Sequence, residues 1–573
     1  MNKIKSGFLL LAALFISNFL SAQTIEEGKK FLYYERYKSA KAAFEKLVNA
    51  DSNNMDAVYW LGQTMIAPEE GRDIAGAKAL YQKALQANSA NPLLLAGMGH
   101  IELLEGKTQD AKNRFETAIS LSQSKNAAVL NAIGLANVMA KDGDATYAID
   151  KLKQAAAIKK MNDPDVFINL GDAYKKIGEG GPAQTAYESA LTFNPKYARA
   201  PYRIGKIYQT QGIAQKEIYM RYFNDAIAMD PSFGPVYENL YQLLYLTDVT
   251  KSAEYLEKYL ANTDDDPKNC YYRASMKYAQ GLFKESIALA DGCFKSDPNP
   301  YSKLYGIEAY AYNKLGDSVN AKELFEKYFK VADPATIGAG DYSTYASVLL
   351  KFPGNDSITG TYVDKAVALD TLEANKSTYI KSMAGFYDGQ KRYKEAADWY
   401  TKLVTIKKIP TKTDLYNAGY NYFRSGNYDK AITQFDIYSE KYPEDAFSYY
   451  MKGKSNWAID STLELALANP SFEKTIEVGA KDSIKYKNQL IGSYKYFIVY
   501  YASSAKKDKA LALSYCDKVL AIDPNDAETI SNKAAITAMN FNAPAPKQPK
   551  QAPAGTKPAA GKTGEKANGA KSK

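Results

Sequence analysis

The sequence predicts an all-α fold, a solenoid of stacked antiparallel helix pairs, and three observations support this prediction. A short pattern of small and aromatic residues recurs at intervals near 34 residues along most of the chain. The spacing inside each copy places these residues on one face of a helix. The chain of 573 residues also exceeds the size at which one hydrophobic core keeps growing, so several domains or a repeat array are expected.

The two clearest copies of the pattern begin at Gly171 and Gly419 and end at Pro195 and Pro443. In each copy the small residue lets two antiparallel helices approach closely, and an aromatic residue three positions later fills the same face. The second helix supplies small, aromatic and apolar residues, and the proline ends it. Because one helix pair cannot bury both of its faces, the pairs must stack, and stacking gives a superhelix.

This pattern resembles that of the tetratricopeptide-repeat family, and it identifies about a dozen helix pairs followed by a capping helix over 525–540. The resemblance implies a right-handed superhelical solenoid. It also implies that the first helix of every pair lines a concave groove, which receives extended peptides or partner helices. Further copies begin at Gly28, Gly62, Gly99, Gly134, Gly205, Ala274, Ala309 and Ala384.

The solenoid is predicted to occupy residues 23–540, between two segments of different composition. Residues 1–22 are typical of an export signal, with two early lysines, an apolar run and a small-residue cleavage site, and an uncleaved anchor is the alternative. Residues 541–573 are rich in Pro, Ala, Lys and Gly, which predicts a disordered basic tail. The pattern fades near 333–360 and 457–485, which are either bends or insertions, or divergent repeats.

The distribution of charge argues against a nucleic-acid partner. The formal net charge is +9, to which the tail contributes +6 from seven Lys and one Glu, and the leader +2 from two Lys. Only +1 remains for the predicted solenoid, which offers little attraction to a phosphate backbone. The basic tail is either a flexible linker, a tether to anionic envelope polymers, or a solubilising end.

Few residues are suited to catalysis. His100 is the single histidine, which argues against Ser-His-Asp triads and His-based metal sites, and its helical context predicts a structural role. The sequence contains no P-loop, Gly-rich dinucleotide turn, Cys-x-x-Cys pair or His-Glu-x-x-His motif. We therefore expect a protein that is not an enzyme and that has no catalytic residues, metal site or cofactor.

Aromatic and cationic residues recur at the first-helix positions that the family resemblance places in the groove. Tyrosine is frequent throughout, at 47 residues against 22 phenylalanines. Aromatic residues beside cations are typical of interface hot spots, although a high tyrosine content would by itself produce the same recurrence. The candidate partner-binding residues are Asn169, Arg199, Tyr202, Arg203, Lys206, Tyr271, Tyr310, Tyr416, Tyr420 and Arg424.

Part of this set is similar to the clamp with which some tetratricopeptide-repeat proteins grip a carboxyl terminus. Asn169, Arg199 and Arg203 match the later part of the clamp, whereas Asn131 and Leu135 stand where Lys and Asn belong. The complete clamp is therefore not expected. A simpler anion grip by the two arginines remains open.

The three cysteines are too few to build a disulfide framework, and an odd number leaves at least one of them without an intramolecular partner. Cys270 and Cys293 lie on the two antiparallel helices of one predicted pair. They are either joined in an oxidising periplasm or present as two buried reduced thiols.

These observations favour a periplasmic scaffold that holds envelope proteins or peptides together, at the periplasmic face of the outer membrane or within an outer-membrane complex. The ending of the predicted signal is similar to those of exported Bacteroidota proteins. The family resemblance implies machinery for outer-membrane protein assembly, secretion or surface motility. The alternative is a glycan-binding component of an outer-membrane nutrient-uptake system, a family that is normally lipid-anchored and carries a large non-repeat region, neither of which the sequence predicts.

Overall fold

The computed structural model describes residues 24–68, 71–504 and 506–541. Within these ranges the regular structure consists of 29 α-helices and three short 3-10 segments, with no strand. The predicted all-α class is confirmed. The predicted export signal over 1–22 and the predicted tail beyond Phe541 lie outside the described residues.

The chain divides into two compact units after Ile337, within the first of the two stretches where the repeat pattern fades. The first unit is a stack of antiparallel helix pairs, and its 18 helices alternate between first and second members of a pair. They are α1 Ile25–Tyr33, α2 Tyr37–Ala50, α3 Met55–Ile66, α4 Ile74–Ala87, α5 Pro92–Leu104, α6 Thr108–Leu121, α7 Ala127–Met139, α8 Ala145–Ala156, α9 Asp165–Lys176, α10 Gly180–Phe193, α11 Arg199–Thr210, α12 Lys216–Met229, α13 Gly234–Leu244, α14 Val249–Ala261, α15 Pro267–Ala279, α16 Phe283–Ser296, α17 Lys303–Lys314 and α18 Ser318–Val331.

The second unit begins at Gly338 and contains five further pairs and a closing helix. Its helices are α19 Ala339–Leu349, α20 Asp356–Leu369, α21 Glu373–Gly389, α22 Tyr393–Ile406, α23 Lys412–Arg424, α24 Tyr428–Lys441, α25 Ala446–Ile459, α26 Asn469–Gly479, α27 Lys487–Ser503, α28 Lys509–Ile522 and α29 Ala527–Ala538. The second stretch where the pattern fades holds a nine-residue connection between α25 and α26 and the 3-10 segment Ala480–Asp482.

In many of the pairs a ring of the second helix packs on a glycine of the first, and in the pair α7–α8 the side chain of Leu152 packs on Gly134 instead. A Cβ atom built on Gly171 would lie 2.3 Å from Cε1 of Tyr187, and one on Gly419 would lie 2.7 Å from Cε1 of Phe435. Both distances are far below van der Waals contact, so only glycine admits the ring at these positions. Tyr187 also donates a hydrogen bond to Oδ1 of Asp172 at 2.7 Å, which satisfies its buried hydroxyl.

The turn between the two helices of a pair requires a residue in the left-handed region. Gly178 and Gly426 occupy this position with φ of 85° and 75°. In the pair α1–α2 the same position is held by Glu35, with φ of 57°, and in the pair α21–α22 by Lys391, with φ of 60°. Because a side chain in this region costs about 1 kcal/mol, these two turns are strained relative to those with glycine.

Polar side chains cap the amino-terminal ends of many helices. Asn54 accepts a hydrogen bond from the Ala57 amide at 3.1 Å, and Asp144 accepts one from the Tyr147 amide at 2.9 Å. Such caps satisfy donors that the first turn of a helix leaves unpaired. None of the helices in the described part of the chain is long and apolar enough to cross a membrane.

The single histidine is buried between the first helices of neighbouring pairs in the first unit. His100 is 4% exposed, and its Nδ1 lies 3.0 Å from Oε1 of Gln63. Burial, together with the positive charge of Arg72, lowers the pKa of His100 to about 3. The side chain is therefore a neutral packing element at physiological pH.

Candidate partner-binding surfaces

Five of the candidate residues in the first unit lie on α9 and α11. We call this set the first-unit wall: Asn169, Arg199, Tyr202, Arg203 and Lys206. The structure bonds most of them to neighbouring helices. Asn169 donates to Oδ1 of Asn131 at 2.8 Å, and Lys206 donates to Oδ1 of Asn239 at 2.7 Å. Arg203 lies 3.7 Å from the carboxylate of Asp172, and Tyr202 packs on Phe223 and Phe233 at centroid distances of 6.0 and 5.5 Å.

Arg199 is held by the chain's own amino-terminal hairpin. Its Nη2 donates to the carbonyl oxygens of Leu32 and Tyr33, at 3.1 and 2.8 Å, and its guanidinium carbon lies 5.0 Å from the centroid of the Tyr33 ring. Its Nη1 donates to Oδ1 of Asp165 at 3.1 Å. The side chain of Arg199 is only 16% exposed as a result.

The same hairpin turn makes further contacts with the connections that precede α11 and α13. The ring of Tyr33 lies 4.9 Å from that of Tyr197 and 5.2 Å from that of Phe233. The hydroxyl of Tyr34 donates to Oδ2 of Asp230 at 3.0 Å. These contacts join residues far apart in sequence, and they place the turn on the first-unit wall.

Asp264 holds the end of the turn that leads into α2. Nε of Arg36 donates to its Oδ1 at 3.1 Å, and the amide of Ser39 donates to its Oδ2 at 2.8 Å. The Ser39 hydroxyl adds a third bond of 2.5 Å to Oδ1. Burial opposes the charge on Asp264, but these donors lower its pKa overall.

These contacts correct the expectation that Arg199 and Arg203 form an open grip for a partner's anion. The carboxylates that meet them belong to the chain itself, namely Asp165 and Asp172, and Glu35 adds to the electrostatic field that raises the pKa of both arginines. The sequence could not reveal this because Tyr33 and Arg199 are separated by 166 residues.

The two remaining candidates of the first unit are half-buried: Tyr271 on α15 contacts the connection before α17, and Tyr310 on α17 contacts α18, the second helix of its own pair. Tyr271 lies 5.5 Å from the ring of Tyr301, and Tyr310 lies 5.4 Å from that of Phe325. The rings of these two tyrosines are therefore used mainly in packing within the unit and offer little open surface to a partner.

The disulfide that the sequence left open is formed in the structure. Sγ of Cys270 on α15 and Sγ of Cys293 on α16 are 2.14 Å apart, and their Cα atoms are separated by 6.2 Å. Both residues are half-buried, so they are not the pair of buried thiols that we considered as the alternative. Cys516, in the second unit, is buried and unpaired.

A cleft of about 370 Å³ lies between α16, α17 and α18. Glu308 lines it, is 3% exposed, and has no hydrogen-bond partner for its Oε2 in the described part of the chain. Burial and the nearby carboxylate of Asp291 raise the pKa of Glu308 to about 7, against the opposing charge of Lys327. Among the described residues no group of three His, Cys, Asp or Glu side chains could hold a metal ion.

The second unit presents a different surface. Tyr416, Tyr420 and Arg424 follow one another along one face of α23, and the first two rings are stacked with centroids 5.1 Å apart. The guanidinium carbon of Arg424 lies 5.6 Å from the centroid of Tyr420 and 3.7 Å from that of Tyr393. Its Nη1 donates to Oδ1 of Asp388 at 2.9 Å.

The structure extends this surface onto α25 with residues that the sequence analysis missed. Phe447 lies 5.1 Å from the ring of Tyr416. Nζ of Lys454 lies 5.2 Å from the ring of Phe423 and 5.8 Å from that of Tyr450. We call the half-buried rings, together with the exposed Arg424 and the half-buried Lys454, the second-unit stripe: Tyr416, Tyr420, Phe423, Arg424, Phe447, Tyr450 and Lys454.

The sequence did contain a signal for the residues of the second-unit stripe that lie on α25. Gly453 stands 34 residues after Gly419, and a Cβ atom on it would lie 2.9 Å from the ring of Phe472, as in the other pairs. The groove positions counted from Gly453 give Tyr450 and Lys454. Because the next stretch of the chain loses the pattern, this copy was not recognised.

Comparison with known proteins supports the repeat assignment. A family model described as tetratricopeptide repeat matches residues 164–197, which include α9 and α10. A TPR repeat-containing protein of Methanocaldococcus jannaschii is 24% identical over 70% of this chain and 73% of its own length. Human tetratricopeptide repeat protein 6 is 30% identical over 33% of this chain and 34% of its own length, so only a third of that protein is spanned.

Solved structures with similar helix pairs align over limited regions. The C-terminal part of a TPR repeat-containing protein from Cytophaga hutchinsonii is 24% identical, with 45% of this chain and 98% of that chain covered and a TM-score of 0.31. YrrB, described as a TPR protein with an unusual peptide-binding site, is 20% identical over 33% of this chain and 93% of that chain, with a TM-score of 0.22. The family match at 164–197 identifies a tetratricopeptide repeat in α9 and α10, and the glycine-on-ring pairing of that repeat recurs in both units, so the predicted tetratricopeptide-like stack of helix pairs is confirmed.

Proposed function

We propose that the protein is a non-enzymatic scaffold or adaptor of a bacterial cell envelope, which holds partner proteins or peptides on the inner faces of its repeats. Tetratricopeptide-repeat proteins are typically protein-binding scaffolds, so a protein partner is the general expectation. The more specific part of the proposal is a periplasmic location and a role in outer-membrane protein assembly, secretion or surface motility. Its support is the export-signal composition of residues 1–22.

The second-unit stripe is the observation that carries the binding proposal. Two stacked tyrosines, three further rings and two cations lie along the first helices α23 and α25. Aromatic anchors with neighbouring cations provide large contact area at low cost in side-chain entropy, which is the composition of protein-binding hot spots. An extended peptide would gain several such contacts at once along a row of parallel helices.

A second candidate function is glycan binding within an outer-membrane nutrient-uptake system. The observation in its favour is that the rings of Tyr416 and Tyr420 are tilted by only 16° to each other, as are those of Tyr420 and Phe423 by 14°. Flat rings in near-parallel orientation suit the apolar face of a sugar as well as a peptide side chain.

Photo-crosslinking in intact cells tests both candidates. A photoreactive phenylalanine analogue in place of Tyr420 should capture specific proteins, whereas the same analogue in place of Lys441, an exposed residue of α24, should not. Captured species are identified by mass spectrometry of the released adducts. Adducts that contain only sugars would reject the scaffold and favour the glycan-binding alternative, and equal capture at both positions would reject the stripe as a site.

A further inference from the structure

The turn Tyr33–Ser39 covers Arg199, at the start of α11, and so blocks the amino-terminal end of the first-unit wall. We propose that this turn is a built-in occupant of the wall, and that the partner which replaces it presents an aromatic side chain next to a carboxylate. This inference rests on the proposed scaffold function and specifies its partner chemistry for the first unit. Four independent observations on the described residues support it.

The first observation is the setting of the Tyr33 ring. The guanidinium of Arg199 lies over the ring, 5.0 Å from its centroid, and the rings of Tyr197 and Phe233 lie at 4.9 and 5.2 Å. A cation and two aromatic rings around one position favour an aromatic side chain there. The wall therefore contains a recognition element for an aromatic residue, and the turn fills it.

The second observation is the carboxylate two residues later. Glu35 follows Tyr33 by two residues in the turn that bonds to Arg199, and its charge adds to the effect of Tyr197 and Asp165 that raises the pKa of Arg199 and to that of Asp172 that raises the pKa of Arg203. Its backbone stands in the left-handed region, with φ of 57°, where Gly178 and Gly426 hold the equivalent turns. A glycine would relax this turn, so its replacement tests whether the carboxylate is what the position requires.

The third observation is that the turn satisfies the wall incompletely. The Nε atoms of Arg199 and Arg203 are buried and have no hydrogen-bond partner within the part of the chain that the structure describes. A carboxylate that approaches an arginine side-on pairs with Nε and one Nη together, which is a bidentate and therefore strong arrangement. A partner that supplies such a carboxylate would make a hydrogen bond to Nε that the turn does not make.

The fourth observation is that the outer part of the turn is held by bonds that can open. Arg36 and Lys38 reach Asp264 and the carbonyl of Asp265 at 3.1 and 3.3 Å, and the Arg36 side chain is 36% exposed. Partly exposed polar contacts contribute little each, because water competes for the same groups. The two Ser39 hydrogen bonds to Asp264, whose side chain is 11% exposed, and the Tyr34 bond to Asp230 must open as well for the turn to leave while the pairs from α3 onwards remain stacked.

The variant Glu35→Gly in the full chain separates this role from simple packing. It removes the carboxylate and at the same time relaxes the backbone, so a purely structural turn would become more stable. Lys391→Gly is the matched control, because Lys391 holds the same turn position in the second unit with φ of 60° and is exposed. Hydrogen-deuterium exchange should become faster in α1 and at Arg199–Lys206 in Glu35→Gly, and should remain unchanged there in Lys391→Gly.

A peptide probe tests recognition directly. The probe is an acetylated, amidated and fluorescently labelled peptide with the sequence of residues 31–39. Fluorescence anisotropy should show about tenfold or greater tightening of its affinity for Glu35→Gly relative to the unaltered chain and to Lys391→Gly, because the internal competitor is weakened. A peptide in which the residues corresponding to Tyr33 and Glu35 are Ala and Gln should lose this binding.

Two results would overturn the inference: equal affinity of the probe for all three proteins, or equal binding of the altered peptide. If Glu35→Gly unfolds the pair α1–α2, which loss of protection in α2 would reveal, Arg36→Ala provides the second test with the same expected tightening. Photo-capture at Tyr420 does not involve this turn. Failure of the peptide test with intact capture at Tyr420 therefore rejects the built-in occupant alone, whereas loss of capture rejects the scaffold proposal.

Discussion

The inner surfaces of the two units are built by the same helix pairing, yet they differ in what covers them. In the first unit Arg199 is 16% exposed and bonded to the hairpin turn, while in the second unit Arg424 is 33% exposed and lies over two tyrosine rings. The repeat therefore fixes which positions of a first helix point inward, but not which of them meet solvent. Whether an inward-pointing side chain is free to bind a partner depends on tertiary contacts that no single repeat encodes.

The largest expected difference between the units concerns the disulfide Cys270–Cys293, since the second unit has only the unpaired Cys516. The double variant Cys270→Ser/Cys293→Ser should lower the free energy of opening around α15 and α16 by about 3 kcal/mol, because the bridge closes a short loop in the unfolded chain. Hydrogen-deuterium exchange of the full chain reports each unit separately. Cys516→Ser is the control, and an equal loss of protection in both units would contradict the prediction.

The second prediction concerns the second-unit stripe. Tyr416→Ala/Tyr420→Ala should weaken the affinity for a partner captured there by about 30-fold, or about 2 kcal/mol, because two stacked anchors are removed. Titration of the purified partner against the purified chain measures this. Tyr449→Ala alters a tyrosine of α25 that packs on Ala446 and Tyr486 instead, and it should leave the affinity unchanged. Comparable losses in both variants would remove the stripe from consideration.

The third prediction is a pH dependence confined to the first unit, which contains the single histidine. Burial holds the pKa of His100 at about 3, below its ordinary value of about 6.5, so the unfolded chain takes up the proton first. The stability that the neutral side chain contributes is fully present above pH 6.5 and is lost as the pH falls below it, by about 1.4 kcal/mol at pH 5.5.

The variant His100→Gln provides the readout, because it has no titrating group at this position. The difference in opening free energy between the unaltered chain and His100→Gln, measured by exchange in α5, should change by that amount between pH 7.5 and 5.5. Amides of α23 serve as the internal reference. A difference that does not vary with pH would show that the imidazole is not held neutral.

The smallest effect is expected for the cation of the stripe. Arg424→Ala should weaken partner affinity about threefold, since an exposed cation over a tyrosine ring contributes about 0.5–1 kcal/mol. Arg424→Lys keeps the charge but not the planar face that stacks on the rings. Its affinity for the partner should therefore lie between that of the unaltered chain and that of Arg424→Ala. If the lysine variant matched the unaltered chain, charge alone would account for the contribution of Arg424.

The sequence by itself determined the helix pairs, because their rules are local. The spacing of Gly171 and Tyr187 fits one face of each of two helices, and burying that face forces the pairs to stack. The same spacing would also have identified Lys454 from Gly453. The sequence likewise placed Cys270 and Cys293 on facing helices, but whether they are joined depends on the distance between them, which the tertiary structure set at 6.2 Å between Cα atoms.

Only the tertiary structure decided whether the groove positions are open to solvent or covered by the chain itself. Arg199 was predicted as a groove-facing cation from its position in the repeat, and its partners Leu32 and Tyr33 lie on the first pair of the array. Such a contact arises from how far each successive pair is rotated and shifted against the one before. Small differences in side-chain packing accumulate over several pairs, and no periodic pattern in the sequence records their sum.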